Sequence, residues 1–316
     1  MNEKMKSGIA ENHGALPFSM APLVILLIAS FGVNAIAVKI ALTGISMFTL
    51  AAIRISISII VIATWAKMSG KSFHIGKKNY SRIAILTASQ LVVLALFFYG
   101  IKLTLASRVS LINNVQPFLI MILAHFFIPE DKIELRKIAG IVLCFTGIYI
   151  LFKPDSAGNS SIMNGDYIIL AAVLLVSIST IYTKKIISDF DPYQLVLFPM
   201  IFSVPIYWLL ALVFESPMIF KINTEIIISV LYQSIITGSF GFVVWNILLN
   251  KYGAVSLHTY VFIMPVAGVF FSWLILGEQL ASGVMLTLAL ITSGIIISHI
   301  KPEDLLFFPF KRGGNK

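Results

Sequence analysis

The sequence predicts an all-α integral membrane protein: ten transmembrane helices arranged as two inverted five-helix repeats, with both termini cytoplasmic. Three observations carry that expectation. Of 316 residues, 58% are hydrophobic and only 12% are charged, roughly half the charged share of an ordinary soluble domain. Such a chain suits a bilayer, which takes ~20 apolar residues per helical span. Next, a spacing recurs. Ala106, Pro117 and Glu130 lie 11 and 13 residues apart, and Ala254, Pro265 and Glu278 repeat those gaps at a constant offset of 148. A long apolar repeat of this kind is the mark of a duplicated membrane fold. Finally, basic residues concentrate on alternate connections between the apolar runs.

Taken in order, apolar runs punctuated by charge, Pro and Gly place helices near 20–43, 46–66, 83–103, 108–128, 136–152, 166–184, 193–214, 226–250, 255–276 and 282–299. The first run reads as a retained span rather than a signal peptide. A polar stretch from Ser7 to Gly14 separates it from Lys4 and Lys6, and it is too long for a typical h-region despite the cleavage-like Ala35-Ile36-Ala37. The polar stretch Pro154–Gly165 divides the spans five and five. That gives repeats over 20–152 and 166–299, with cytoplasmic tails at 1–19 and 300–316.

Orientation follows from the basic residues. With a cytoplasmic N-terminus the inner segments hold 17 Lys and Arg, and the outer ones hold 4. Lys39 and Arg54 lie inside spans and complete the 23. An odd number of spans per half then makes the second repeat enter the membrane from the opposite side. Such inverted repeats place a site between the halves near the bilayer midplane.

The residues resemble the EamA-type branch of the drug/metabolite transporter superfamily over about 20–300. The match lies in Gly32-Val33-Asn34 with Lys39 in span 1, and in Arg54 after Thr49-Leu50-Ala51-Ala52 in span 2. It is strongest in Ala106…Pro117…Glu130…Gly140…Gly147 and Tyr252-Gly253-Ala254…Pro265…Gly277-Glu278…Gly294. Two departures stand out: Pro129-Glu130 where the second copy has Gly277-Glu278, and Leu288 where the first has Gly140. The resemblance implies two five-helix repeats and secondary transport of a small organic metabolite, with export favoured. An amino-acid-like, nucleotide-like or amphipathic solute remains open. The alternative is a membrane sensor or structural subunit that binds a ligand without moving it.

Candidate substrate-binding residues are the polar groups at midplane depth. They are Asn34 in span 1, Gln90 and Tyr99 in span 3, Asn113, Asn114 and Gln116 in span 4, Trp245 and Asn246 in span 8, and His258 and Tyr260 in span 9. An amide in hydrocarbon without a partner costs several kcal/mol. These groups therefore face each other, water or a substrate, and interhelical hydrogen bonding is the simpler alternative for each alone. Lys39 and Arg54 are candidates for binding an anionic group, with snorkelling to the interface as the alternative. Lys102 and Arg108 border the next outer loop, and no acid lies close in sequence to any of the four. Pro117 and Pro265 each remove a backbone hydrogen bond and serve as candidate hinges. Glu130 and Glu278, the repeat-matched acids, are candidate gating residues, with helix capping as the plainer role.

Enzyme signatures are absent: there is no HExxH, Walker A loop, GxSxG elbow or GxGxxG after a strand. No catalytic residue, metal cluster or cofactor is implied. The expected partners are a small-molecule substrate and the lipid bilayer, not nucleic acid. Ala289 and Ser293 form a small-residue face on span 10 that suits either a monomer or a homodimer. The expected location is the cell membrane, multi-pass, and the inner membrane in a Gram-negative cell.

Overall fold

A computed structural model describes residues 18–70, 75–76, 79–127, 135–153, 160–190, 192–241, 243–245, 247–248 and 260–299. Hydrocarbon leaves backbone polar groups no partner but the helix itself, and the apolar runs are helical accordingly. The helices are α1 (Ala21–Ala41), α2 (Met47–Met68), α3 (Tyr80–Leu103), α4 (Ala106–Asn113), α5 (Gln116–Phe127), α6 (Leu135–Leu151), α7 (Ser160–Ile186), α8 (Pro192–Phe214), α9 (Thr224–Leu231), α10 (Ile263–Leu276) and α11 (Ser282–His299). A π-helical segment, Tyr232–Gly241, continues α9. The described residues are otherwise joined by short turns, with one antiparallel bridge between Ile45 and Ile219.

Seven described helical stretches are long and apolar enough to cross a membrane, and α10 and α11 are shorter apolar helices. Large apolar side chains such as Leu26, Ile60, Leu212 and Leu274 face outward, as a lipid-facing surface requires. Two of the expected runs are not regular α-helices: span 8 carries the π segment, and span 4 is interrupted. Span 4 breaks at Asn114–Val115, where the amides bond three residues back to Leu111 and Ile112, and α5 restarts with Pro117 in its first turn. A proline fits there because first-turn amides have no helical acceptor. Pro265 likewise falls in the first turn of α10, and the start of the predicted ninth span lies outside the described residues. The sixth expected span, α7, begins at Ser160 rather than 166, so Asp166 belongs to a helix and not to its edge.

Helices pack closely where side chains are absent. A Cβ on Gly140 would lie 2.6 Å from the Gly294 carbonyl oxygen, and one on Gly294 would lie 2.8 Å from that of Gly140. The α6–α11 crossing is therefore backbone on backbone. At the α1–α10 crossing a Cβ on Gly32 would come within 2.5 Å of the Met264 carbonyl oxygen, and one on Gly268 would overlap Ser110. Elsewhere α3 lies on α7 and α8, α2 on α8 and the π segment, α1 on α9, and α7 on α4 and α5.

One end of the bundle is tied together by polar contacts. The Glu278 carboxylate accepts from the amides of Ala106 (2.7 Å) and Ser107 (2.9 Å) and from the Ser107 hydroxyl (2.7 Å). Lys39 lies 3.4 Å from Glu278 and also donates to the Thr104 carbonyl. Glu215 makes the same pattern on α2, accepting from the amides of Phe48 (2.7 Å) and Thr49 (2.9 Å) and the Thr49 hydroxyl (2.7 Å). Both carboxylates satisfy orphan amides at helix N-termini and meet the positive end of the helix dipole. At the opposite end Arg82 pairs with Asp189 above an apolar cluster of Ile75, Ile83, Leu86, Ile186 and Phe190.

Candidate functional site: a polar cavity between the halves

A cavity of about 790 Å³ lies between the helices. Its upper wall is polar: Asn34 of α1, Arg54 of α2, Asn113, Asn114 and Gln116 around the span 4 break, and Thr237 and Gly238 of the π segment. Gln90 and Ser89 of α3, Ser179, Thr180 and Thr183 of α7, Pro199 and Met200 of α8, and Trp245 also line it. Arg54, eighth in α2, lies about 10 Å from the Glu278 end at ~1.5 Å per residue. Thr183 and Leu195 line the other limit, each within about one turn of the Asp189 end.

Local structure explains which candidates converge. The break at Asn114–Val115 lets Asn113, Asn114 and Gln116 all reach one cavity, which three such close positions on an unbroken helix would do poorly. Asn114 Nδ2 donates to the Ser110 carbonyl at 2.7 Å, and Thr237 donates to Asn34 Oδ1 at 2.8 Å. Gly238 is required where it stands: a Cβ would come 2.8 Å from the Gln233 carbonyl oxygen and 2.9 Å from Ser58 Oγ. Its absence also leaves the Arg54 side chain uncovered on that side. Arg54 lies 5.8 Å from the Phe98 ring centroid and makes no hydrogen bond or ion pair among the described residues. Among the described residues it is the only charged one lining the cavity.

Other candidates lie elsewhere. Lys39 and Glu278 line a separate cleft of about 590 Å³ at their end of the bundle, with Leu105 and Glu225. Lys39 is thus engaged by a carboxylate and does not join Arg54. Tyr99 is 44% exposed on the outside of α3, because nine residues of helix place it roughly 180° from Gln90. Tyr260 packs beside Val24, Leu27, Ile28, Leu248 and Val261. Pro117 lines the cavity, whereas Pro265 is buried away from it. Asn246, His258 and Glu130 lie outside the described residues.

Arg108, which the sequence places at the border of an outer loop with no acid near it in the chain, is buried and paired. Its Nε donates to Asp166 Oδ2 at 2.7 Å, a second nitrogen donates to the Leu151 carbonyl, and Thr104 donates to Asp166 Oδ1 at 2.6 Å. Several cavity residues escaped the sequence reading. Val176, Ser179, Thr180 and Thr183 recur at helical spacing and were legible as a face; Thr237 and Gly238 depend on the π turn and were not.

A lipid-facing helical bundle enclosing a polar cavity belongs to the class of membrane transporters. The model of the EamA-like transporter family matches twice, over 18–153 and 163–300, and the chain belongs to that family. Among curated relatives, an uncharacterized transporter of Bacillus subtilis (strain 168), YoaV, is 22% identical over 85% of this chain and 92% of its own length. A probable amino-acid metabolite efflux pump of Salmonella typhimurium is 27% identical over 65% of this chain and 71% of that protein. A solved crystal structure aligns with a TM-score of 0.66 at 17% identity, covering 88% of this chain and 96% of that one, which establishes the shared fold. The chain is a multi-pass membrane transporter and not an enzyme.

Proposed function

We propose that this protein is a secondary transporter that exports a small organic metabolite from the cytoplasm by alternating access. Its ten spans form two inverted five-helix repeats with both termini inside. The cavity carries the reading. It is walled by helices from both halves, lies beneath the ion-paired Glu278 end, and reaches to within a turn of the opposite end. In this orientation the Glu278 end is extracellular and the cavity is loaded from the cytoplasm. The break at Pro117 and the helix start at Pro265 act as paired hinges, and Glu278 holds the outer closure. The efflux-pump relative supports export.

Flux is the decisive measurement. The purified protein is reconstituted in proteoliposomes and loaded with radiolabelled amino acids, their acylated derivatives and nucleotides. At least one solute should leave protein-containing vesicles faster than empty ones. The Gln116→Leu variant, which removes an amide from the cavity wall, should slow that efflux at least severalfold with unchanged reconstitution. A solute that stabilises the protein thermally but never crosses the membrane would make it a binding subunit instead.

A further inference from the structure

Half-buried Arg54 faces the cavity with no described carboxylate beside it, whereas Lys39 and Arg108 each have one. Lys39 has Glu278 at 3.4 Å, and Arg108 has Asp166 at 2.7 Å. The remaining described acids are committed or distant. Glu215 caps α2, Asp189 holds Arg82 at the other end, and Glu225 lines the separate cleft. None of the five lines the cavity. The amides Asn113, Gln116 and Gln90 around Arg54's cavity can donate to a ligand but bring no charge. A guanidinium withdrawn from water without a counter-charge is costly, and its planar fork matches a carboxylate in two parallel hydrogen bonds.

We propose that Arg54 binds a single carboxylate and that the transported solute carries a net charge of minus one. The inference rests on the transport reading above and narrows its substrate class. One cation neutralises one anion. A dicarboxylate or phosphate dianion brings a second negative charge that no described lining residue meets. A free amino acid brings an ammonium that no carboxylate among the described lining residues meets. The preferred solute is therefore a monocarboxylate whose amine, where it has one, is acylated. The cavity of about 790 Å³ leaves room for a neutral remainder of substantial size, with Trp245 as an aromatic wall.

The test uses aromatic probes that differ in charge, on the full-length protein in lipid nanodiscs. N-acetylphenylalanine is compared with its uncharged amide, with phenylalanine, with phenylsuccinate and with phenyl phosphate, each titrated to millimolar concentration. N-acetylphenylalanine should bind at least about tenfold more tightly than each of the others, the scale set by one charge-assisted hydrogen-bond pair. Arg54→Gln should erase the preference over the amide by weakening the acid alone, and Arg54→Lys should keep part of it. Unchanged amide affinity reports a folded cavity in the variants; where a variant fails to fold, the wild-type comparison decides. Equal binding of acid and amide, binding of neither, a preference for the dianions or the zwitterion, or a preference that survives Arg54→Gln overturns the assignment. Vesicle flux of the same pair separates this from the transport reading. Selective binding without flux sinks transport and leaves the carboxylate site; equal flux of acid and amide does the reverse.

Discussion

The Arg108–Asp166 pair shows how much a single side chain can carry. Asp166 is fully buried and accepts from Arg108 and from Thr104, while Arg108 also reaches the Leu151 carbonyl. Three helices and the α3–α4 turn meet in two side chains. Removing one member leaves a buried charge unmatched, a loss of roughly 3–5 kcal/mol. Asp166→Asn should therefore lower the melting temperature in detergent markedly, and Arg108→Met combined with Asp166→Leu should recover most of the loss. A single variant that melts like wild type would mean that water already reaches the pair. This contact was not legible in the sequence: Asp166 lies 58 residues from Arg108, at what reads as the edge of a span. The midplane amides were legible because an amide in hydrocarbon must have a reason. Seven of the sequence's substrate-binding candidates line the cavity: Asn34, Arg54, Gln90, Asn113, Asn114, Gln116 and Trp245. Tyr99 does not, and counting 100° per residue from Gln90 would have placed it outside.

Among the elements, the two breaks in helical geometry differ in how they announce themselves. Pro117 marks the span 4 break in the sequence, since a proline cannot donate to the preceding turn. Nothing marks Tyr232–Gly241 as a π-helix. Two tertiary contacts meet it, Ser58 donating to the Ser234 carbonyl at 3.0 Å and Gly238 lying against α2, while inside the segment the Ser239 hydroxyl donates to the same carbonyl at 2.7 Å. One consequence is Gln233, whose side-chain oxygen and nitrogen are both buried without a hydrogen-bond partner among the described residues. An unmet buried amide costs on the order of 1–3 kcal/mol. Gln233→Met, close in length and apolar, should raise the melting temperature by several degrees in the absence of ligand. A fall instead would show that the amide is satisfied in the membrane by water or by a second conformation of the segment. π turns recur at functional sites, and this one supplies Thr237 and Gly238 to the cavity. The variant should therefore be assayed for flux alongside stability.

Over the whole molecule, helix contacts pair off as a twofold relation between halves would have them. Spans 5 and 10 meet each other as α6 and α11, and spans 2 and 7 as α2 and α8. The α3–α7 contact has its counterpart in α1 against α9, and α1–α10 has its counterpart in α7 against α4 and α5. An inverted repeat gives each closing contact at one face a mate at the other. Glu278 closes onto Ala106 and Ser107. The offset of 148 pairs Glu278 with Glu130 and Ala106 with Ala254, residues outside those described. The proposed inverted repeat therefore predicts that Glu278 and Glu130 stabilise opposite states. Glu278→Gln, which removes the charge that caps α4 and holds Lys39, should favour opening toward the outside; Glu130→Gln should favour opening toward the cytoplasm. The single cysteine, Cys144, is buried, so Thr237→Cys in the cavity wall provides a nearly clean reporter. In intact cells a membrane-impermeant maleimide should label that variant several times faster with Glu278→Gln added and more slowly with Glu130→Gln added. Changes of the same sign would refute paired gating and leave Glu278 a helix cap like Glu215. Opposite signs would tie both acids to one equilibrium, in which the cavity that now reaches the Asp189 end is exposed in turn to each side of the membrane.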